Sequence, residues 1–203
     1  MSLATQDEER AVPCRLLDAD AERCAAHGLD GGLFERALLG PARNFLARPG
    51  KAFRARLVEG AYLVAGGVPD TLPRKCLEAI ELLHAGSLIV DDIEDDADVR
   101  RGAPALHRQI GTPRALNTGN WLYFVALSRL QELPIGALEE RDLMRAAQQC
   151  LLHCHEGQAL DLAMRVSEVR RGDVRAVAHT TSKLKTGALM GFAARLGASV
   201  AGA

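Results

Sequence analysis

The sequence predicts an all-α protein folded as a single antiparallel helical bundle, and three observations carry that prediction. Apolar residues recur at spacings of three and four along most of the 203 residues, without a convincing run of alternating β-branched positions. Apolar residues make up 48% of the chain and charged ones 25%, so one large domain can bury its core without disulfides or metal staples. No repeat, low-complexity tract or linker divides the chain, and residues 1–203 therefore read as one domain.

The elements follow in order. A helix is predicted over much of 14–27, interrupted by Gly28 and Gly31-Gly32, and another from Phe34 to Ala47, stopped by Pro49-Gly50. The next spans Ala52 to Ala65 and ends at Gly66-Gly67. In Pro69-Asp70-Thr71-Leu72-Pro73 we read a helix start, with Asp70 or Thr71 as N-cap and a proline in the first turn. The helix it opens runs to about Asp95, and Leu77, Ile80, Leu82, Leu83, Leu88, Ile89 and Val90 cover more than one of its faces, which makes it central. Gly102-Ala103-Pro104 marks a loop, and helices follow at 112–132, 137–166 and 173–200, separated by Pro134-Ile135-Gly136 and Arg171-Gly172.

Charge and composition narrow the function. Twenty-five basic residues against twenty-six acidic ones leave no excess for a nucleic-acid backbone, so no nucleic-acid partner is expected. The longest stretch without a charge or histidine, Ala115 to Ser128, contains Asn117 and Asn120 and is too short and polar for a transmembrane segment. Asp7, Glu8, Glu9 and Arg10 stand where a secretory signal needs an apolar run, which points to a cytoplasmic protein. The five cysteines (Cys14, Cys24, Cys76, Cys150, Cys154) are odd in number and form no CxxC, as expected of reduced thiols.

Six of the eight residues from 91 to 98 are acidic, and they contain the motif Asp91-Asp92-Ile93-Glu94-Asp95. On a helix Asp91 and Asp95 share a face, with Asp92 near its edge. Their mutual repulsion, roughly 1 kcal/mol per pair even in water, asks for a cation nearby. An all-oxygen cluster suits a hard ion, and Mg²⁺ binds through one or two carboxylates while keeping water and phosphate oxygens. A solvated acidic helix end is the alternative. An EF-hand fails because its glycine and glutamate positions are unmatched, and a di-iron bundle fails because Glu81-Leu82-Leu83-His84 is the one Glu-x-x-His present.

Cations flank the acids. Arg100 and Arg101 follow directly, where bidentate guanidinium groups meet a diphosphate. Lys51 and Arg54 stand three apart at a helix start, and Lys185-Thr186 adds a cation and a hydroxyl. His84 lies two turns before Asp91, and Gln158 and Asp161 are three apart in a long helix. Alone, each reads more simply as ordinary surface or core chemistry. Cys150, His153 and Cys154 share a helical face, which is a zinc set lacking a fourth ligand, with helix packing as the simpler reading.

Taken together, Gly50-Lys51-x-x-Arg54, the run from Glu81 through His84 to Asp95, Arg100-Arg101-Gly102-x-Pro104, His107, Gly157-Gln158-x-x-Asp161 and Lys185-Thr186 resemble the trans-isoprenyl diphosphate synthases of the polyprenyl synthetase family, from about residue 45 onward. The wording around Asn117 to Phe124 resembles the geranylgeranyl synthases among them. The resemblance implies an isoprenoid synthase bundle whose central helices surround a prenyl-binding cavity. It implies a Mg²⁺-dependent prenyltransferase that condenses isopentenyl diphosphate with an allylic diphosphate, as a cytoplasmic homodimer. Catalytic roles fall on Asp91, Asp92, Asp95, Arg100 and Lys185, and metal ligation on Asp91, Asp95 and Asp161. Substrate binding falls on Lys51, Arg54, His84, Arg100, Arg101, Gln158, Lys185 and Thr186. A class I terpene cyclase, which shares the acidic motif, and a regulatory subunit of a prenyl synthase are the alternatives.

Product length follows from the same helix, because one turn of about 5.4 Å roughly matches an isoprene unit. Gly86 and Ser87, a turn before Asp91, are small where family members with shorter products carry an aromatic residue. A longer product is expected, geranylgeranyl diphosphate, with Leu83 or its neighbour Leu82 as the floor. The chain departs from the family pattern at Ala52 and Ala55, which replace an arginine and a proline, and at Asn120, where aspartate is common. It also reaches Ala203 before the family's further aspartate-rich motif, so the domain is expected to be incomplete at its C-terminus.

Overall fold

A computed structural model describes residues 16–165 and 167–202. Cys14, the charged run 7–10 and the first residues of the predicted 14–27 helix lie outside the described residues. Helices span Asp18–Ala25, Gly31–Phe34, Gly40–Leu46, Phe53–Val64, Arg74–Glu94, Leu106–Ile110, Thr112–Gln131, Ala137–Ala163, Val174–Ser182 and Ala188–Val200, with π turns at Glu35–Leu39 and Lys183–Gly187. No helix among the described residues is long and apolar enough to cross a membrane. The chain packs as two compact units, one comprising residues up to Lys51 with Leu82–Ala126, the other Ala52–Glu81 with Leu127–Ala203.

In the first unit, the π turn at Glu35–Leu39 precedes Pro41, whose missing N–H leaves a gap in the helical ladder. Gly40 donates to the Glu35 carbonyl instead, an approach so close that a Cβ there would lie 2.7 Å from that oxygen. The helix continues to place Ala42 and Phe45 in the core, both fully buried. The Arg74–Glu94 and Thr112–Gln131 helices meet at paired glycines, since a Cβ on Gly86 would sit 2.8 Å from the Gly119 carbonyl oxygen and 3.2 Å from the Tyr123 ring. Around this crossing Leu82, Leu83, Ile89 and Leu122 are buried, each contributing about 1.5–3 kcal/mol of apolar burial.

In the second unit the Phe53–Val64 helix lies backbone-to-backbone on Ala188–Val200, where Gly197 faces the Val58 carbonyl and the Tyr62 amide. Val58 and Tyr62 on the first helix, and Leu189, Phe192, Ala193 and Leu196 on the second, are buried. The Ala137–Ala163 helix packs on the same terminal helix and on the Lys183–Gly187 turn.

Four local expectations need correction. The long central helix begins at Arg74, and neither Asp70 nor Thr71 caps it. Asp70 is left-handed (φ 63°), and the Thr71 hydroxyl is spent inside the turn, donating to Val68 O (2.8 Å) and bonding Tyr62 Oη (2.7 Å). The predicted 137–166 helix stops at Ala163, because Met164 is extended. The predicted 173–200 helix is broken by the Lys183–Gly187 π turn. Around Gly102, instead of a plain loop, Val99–Arg100 pairs antiparallel with Ala103–Pro104.

Candidate functional site

In the first unit the Arg74–Glu94 helix ends in the acidic cluster. The Asp95 amide bonds the Asp91 carbonyl (2.9 Å), so the helical turn extends far enough for Asp91 and Asp95 to share a face. Asp91 is half-buried and Asp95 exposed. Asp92 turns inward, with its side chain 1% exposed, and its Oδ1 accepts from Arg100 Nε at 2.5 Å and from Arg100 Nη2. Arg100 Nη2 also reaches Asp91 Oδ2 at 3.3 Å. Asp92 is therefore the anchor of Arg100 rather than a carboxylate at the edge of an open face. The pairing raises the Arg100 pKa further, the hydrogen bond to Asp92 being the main cause. Arg108 takes up Asp96 (2.8 Å) and Asp98 (3.1 Å), which accounts for two more of the acids.

Arg101 and Gly102 form the two-residue turn between the short strands, both at positive φ (52° and 76°), the geometry that closes a tight hairpin. A left-handed arginine costs on the order of 1 kcal/mol or more and persists where its surroundings fix it. The Arg101 guanidinium lies against Gly50, where a Cβ would be 3.2 Å from Arg101 Cζ, and 5.9 Å over the Phe45 ring. Lys51 follows Gly50 and is exposed. Lys51 and Arg54 stand three apart at the helix start, but Ala52 is left-handed (φ 45°) and the helix begins one residue later than expected, at Phe53, so the segment joining them is not a helical turn.

Further back on the long helix, His84 is half-buried, its carbonyl accepting from Ser87 Oγ at 2.8 Å. Leu83 is 1% exposed. Gly86 is closed off by Gly119 and Tyr123, so its small size serves the helix crossing, and Ser87 is the half-buried small residue beside it.

In the second unit, Asp161 on the Ala137–Ala163 helix pairs with Lys185 of the π turn at 2.6 Å. Gln158 is half-buried and Thr186 exposed. Gly157 lets the turn approach: a Cβ there would meet the Lys185 amide and lie 2.8 Å from Leu184. The π turn itself re-aims Lys185 out of the helical register. Sequence reasoning missed this role of Gly157, and also missed Phe45, whose ring lies beneath both Arg48 and Arg101.

Arg54, at the start of its helix, lies close enough to Cys154 for its charge to act on the thiol. Cys150 donates to the Cys154 sulfur, and this bond, then the Arg54 charge and a Leu189 backbone contact, outweigh burial and lower the Cys154 pKa. Cys150 is pushed up by the same bond and by burial, and burial alone raises Cys76 to about 12. His153 bonds Gln149 at 2.8 Å. Among the described residues these side chains form no metal-binding group. A lowered pKa means more thiolate at a given pH, so alkylation by iodoacetamide near pH 7 is expected to label Cys154 before Cys150 or Cys76. Arg54→Met should move the Cys154 rate profile to higher pH. Mass-spectrometric peptide mapping checks both, and equal labelling of Cys76 and Cys154 would contradict the electrostatic reading.

The sequence profile of polyprenyl synthetase matches residues 35–203. This chain belongs to the polyprenyl synthetase family. A geranylgeranyl pyrophosphate synthase of Eremothecium gossypii is 36% identical over 138 residues, spanning 64% of this chain and 41% of that protein. Geranylgeranyl pyrophosphate synthase 2 of Zymoseptoria tritici is 37% identical over 131 residues, spanning 64% of this chain and 38% of that protein. A solved geranylgeranyl pyrophosphate synthetase from the archaeon Geoglobus acetivorans superimposes with a TM-score of 0.71 at 26% identity, over 84% of this chain and 53% of that one. The polyprenyl synthetase chain thus has the all-α isoprenoid synthase fold and spans well under half the length of these two curated relatives.

Proposed function

We propose that the protein carrying this chain joins isopentenyl diphosphate to an allylic prenyl diphosphate, with geranylgeranyl diphosphate as the product. The observation that carries this reading is the juxtaposition, within one unit, of the Asp91/Asp95 face, Arg100 and the Arg101–Gly102 turn, with Gly50 against Arg101. A terpene cyclase needs one diphosphate site. Two guanidinium groups with different neighbours, Arg100 at the acids and Arg101 at Gly50, provide for two.

Magnesium fits the donor set. Asp91 and Asp95 share a face and offer only oxygen, the donor chemistry of a hard ion that keeps water and substrate oxygens in its shell. Asp91 and Asp95 would hold it, and bound magnesium would supply Lewis-acid charge toward a diphosphate. Asp92 is reserved for Arg100. Arg100 neutralises charge growing on the departing diphosphate, while Lys51 and Arg101 bind the diphosphate of the isopentenyl partner. The allylic C–O bond breaks, its electron pair leaving with the diphosphate. The isopentenyl double bond then forms the new C–C bond to the allylic cation, and loss of a proton restores an alkene. His84, Arg54, Gln158, Asp161, Lys185 and Thr186 are assigned to substrate and metal binding by the family's motifs.

The names of the relatives and the small side chain of Ser87 support a long product. The enzyme would work in the cytoplasm as a homodimer, and exposed Leu116 and Phe124 (68%) on the Thr112–Gln131 helix provide apolar surface for a second copy.

The test is incubation of the full-length gene product with farnesyl diphosphate, labelled isopentenyl diphosphate and Mg²⁺. Labelled geranylgeranyl diphosphate is expected, and Ser87→Phe should shorten the product by one isoprene unit. A cyclic hydrocarbon formed without isopentenyl diphosphate would favour a cyclase. Activity only on mixing with another synthase would favour a regulatory subunit.

A further inference from the structure

Arg48 is a cation that a helical bundle would ordinarily leave in water, yet it is 8% exposed. Long basic side chains usually keep the charged head solvated. Here the guanidinium stacks 4.9 Å over Phe45, itself fully buried, and its Nε has no hydrogen-bond partner among the described residues. Nη1 donates to the carbonyl of Arg100 at 3.2 Å, and Nη2 to Asn44 Oδ1 at 3.4 Å. Burial lowers the Arg48 pKa, the charge of Asp92 opposes that, and Arg101 lowers it further.

The acceptor is the informative part. The Arg100 carbonyl belongs to the peptide that joins the two arginines, immediately before the left-handed Arg101. Fixing that peptide fixes the directions in which both side chains leave the turn. The ring beneath Arg48 is also the ring beneath Arg101 (5.9 Å), so one buried aromatic seats two guanidinium groups. Such an arrangement brings like charges together and leaves Arg101 strained, and it persists only if the surroundings over-determine it.

We propose that Arg48 is a positioning residue: it clamps the Arg100–Arg101 peptide from within the core and thereby aims Arg100 at Asp91 and Asp92 and Arg101 at Gly50. The inference rests on the prenyl-transfer reading for its functional consequence. Lysine is a poor substitute, because it has neither the planar fork nor the flat face that stacks on Phe45.

The experiment uses the full-length protein, its Arg48→Met, Arg48→Lys and Arg101→Met forms, and the Arg48→Met/Arg101→Met double form. Isopentenyl diphosphate binding is followed by calorimetry, with KM and kcat for each substrate and the melting temperature measured alongside. Arg48→Met is expected to raise KM for isopentenyl diphosphate and weaken its binding by about tenfold or more through misaim of Arg101, with a smaller change in KM for the allylic partner. Arg48→Lys should recover only part of this. In the Arg101→Met background the Arg48→Met effect on isopentenyl diphosphate should vanish, which a merely structural role would not produce. Unchanged binding in a folded Arg48→Met protein, or an equal loss in both backgrounds, overturns the proposal. Should Arg48→Met not fold, Arg48→Lys compared in the same two backgrounds decides by the same criteria. A wild-type protein that binds no isopentenyl diphosphate and makes no prenyl product overturns the functional reading and this role with it, whereas normal wild-type binding with an unaffected variant overturns this role alone.

Discussion

Replacing Arg100 with methionine is expected to destabilise the fold by about 3 kcal/mol, measured from the denaturant midpoint at constant m-value. The cause is Asp92, whose side chain is 1% exposed and whose bonded oxygen is held by Arg100. Without Arg100 a carboxylate stays buried, while Arg48, whose charge also feels Asp92, is committed to the Arg100 carbonyl. The penalty belongs to the orphaned charge, so Asp92→Leu added to Arg100→Met should restore most of the lost stability, an interaction energy of the sign expected for directly coupled residues. Activity should not return in the double variant, since the cation proposed to face the diphosphate is still missing. A loss below about 1 kcal/mol for Arg100→Met would mean that Asp92 is not held as described.

Gly157→Ala is expected to be the most damaging small substitution in the second unit. Its new methyl would meet the Lys185 amide and Leu184, which are backbone and near-backbone atoms that cannot swing aside, so the π turn must move. Overpacking of this kind costs about 1–3 kcal/mol. The larger effect is on function, because the turn carries Lys185 and a displacement near 1 Å can reduce turnover by about a hundredfold. Asp161→Asn provides the contrast. Asp161 is 47% exposed and Lys185 30%, so breaking their ion pair should leave the melting temperature almost unchanged while lowering activity. Equal stability losses in the two variants would argue against the steric account of Gly157.

Most helices were legible because their signals are local. The Pro49-Gly50 break, the apolar crowding from Leu77 to Val90 and the spacing of Asp91 and Asp95 each report on a single stretch of chain. What was not legible depended on partners distant in sequence. Asp92 reads like its neighbour Asp91, and only the hairpin that returns Arg100 to it makes one carboxylate a buried anchor and leaves the other half-exposed. Gly86 looked like room for a prenyl tail, yet the Gly119 carbonyl occupies that side. Arg48 and Phe45 carry no motif, and their role emerges from a positive-φ turn at Arg101 that an arginine does not advertise. The N-cap at Asp70 or Thr71 failed because a tertiary contact with Tyr62 claimed the threonine hydroxyl.

The most direct test is a crystal structure of the full-length protein with Mg²⁺ and an unreactive allylic thiolodiphosphate. Metal coordinated by Asp91 and Asp95 together with the diphosphate is expected, while Asp92 remains on Arg100. Magnesium bound elsewhere, or Asp91 and Asp95 facing solvent with the analogue in place, would contradict this assignment.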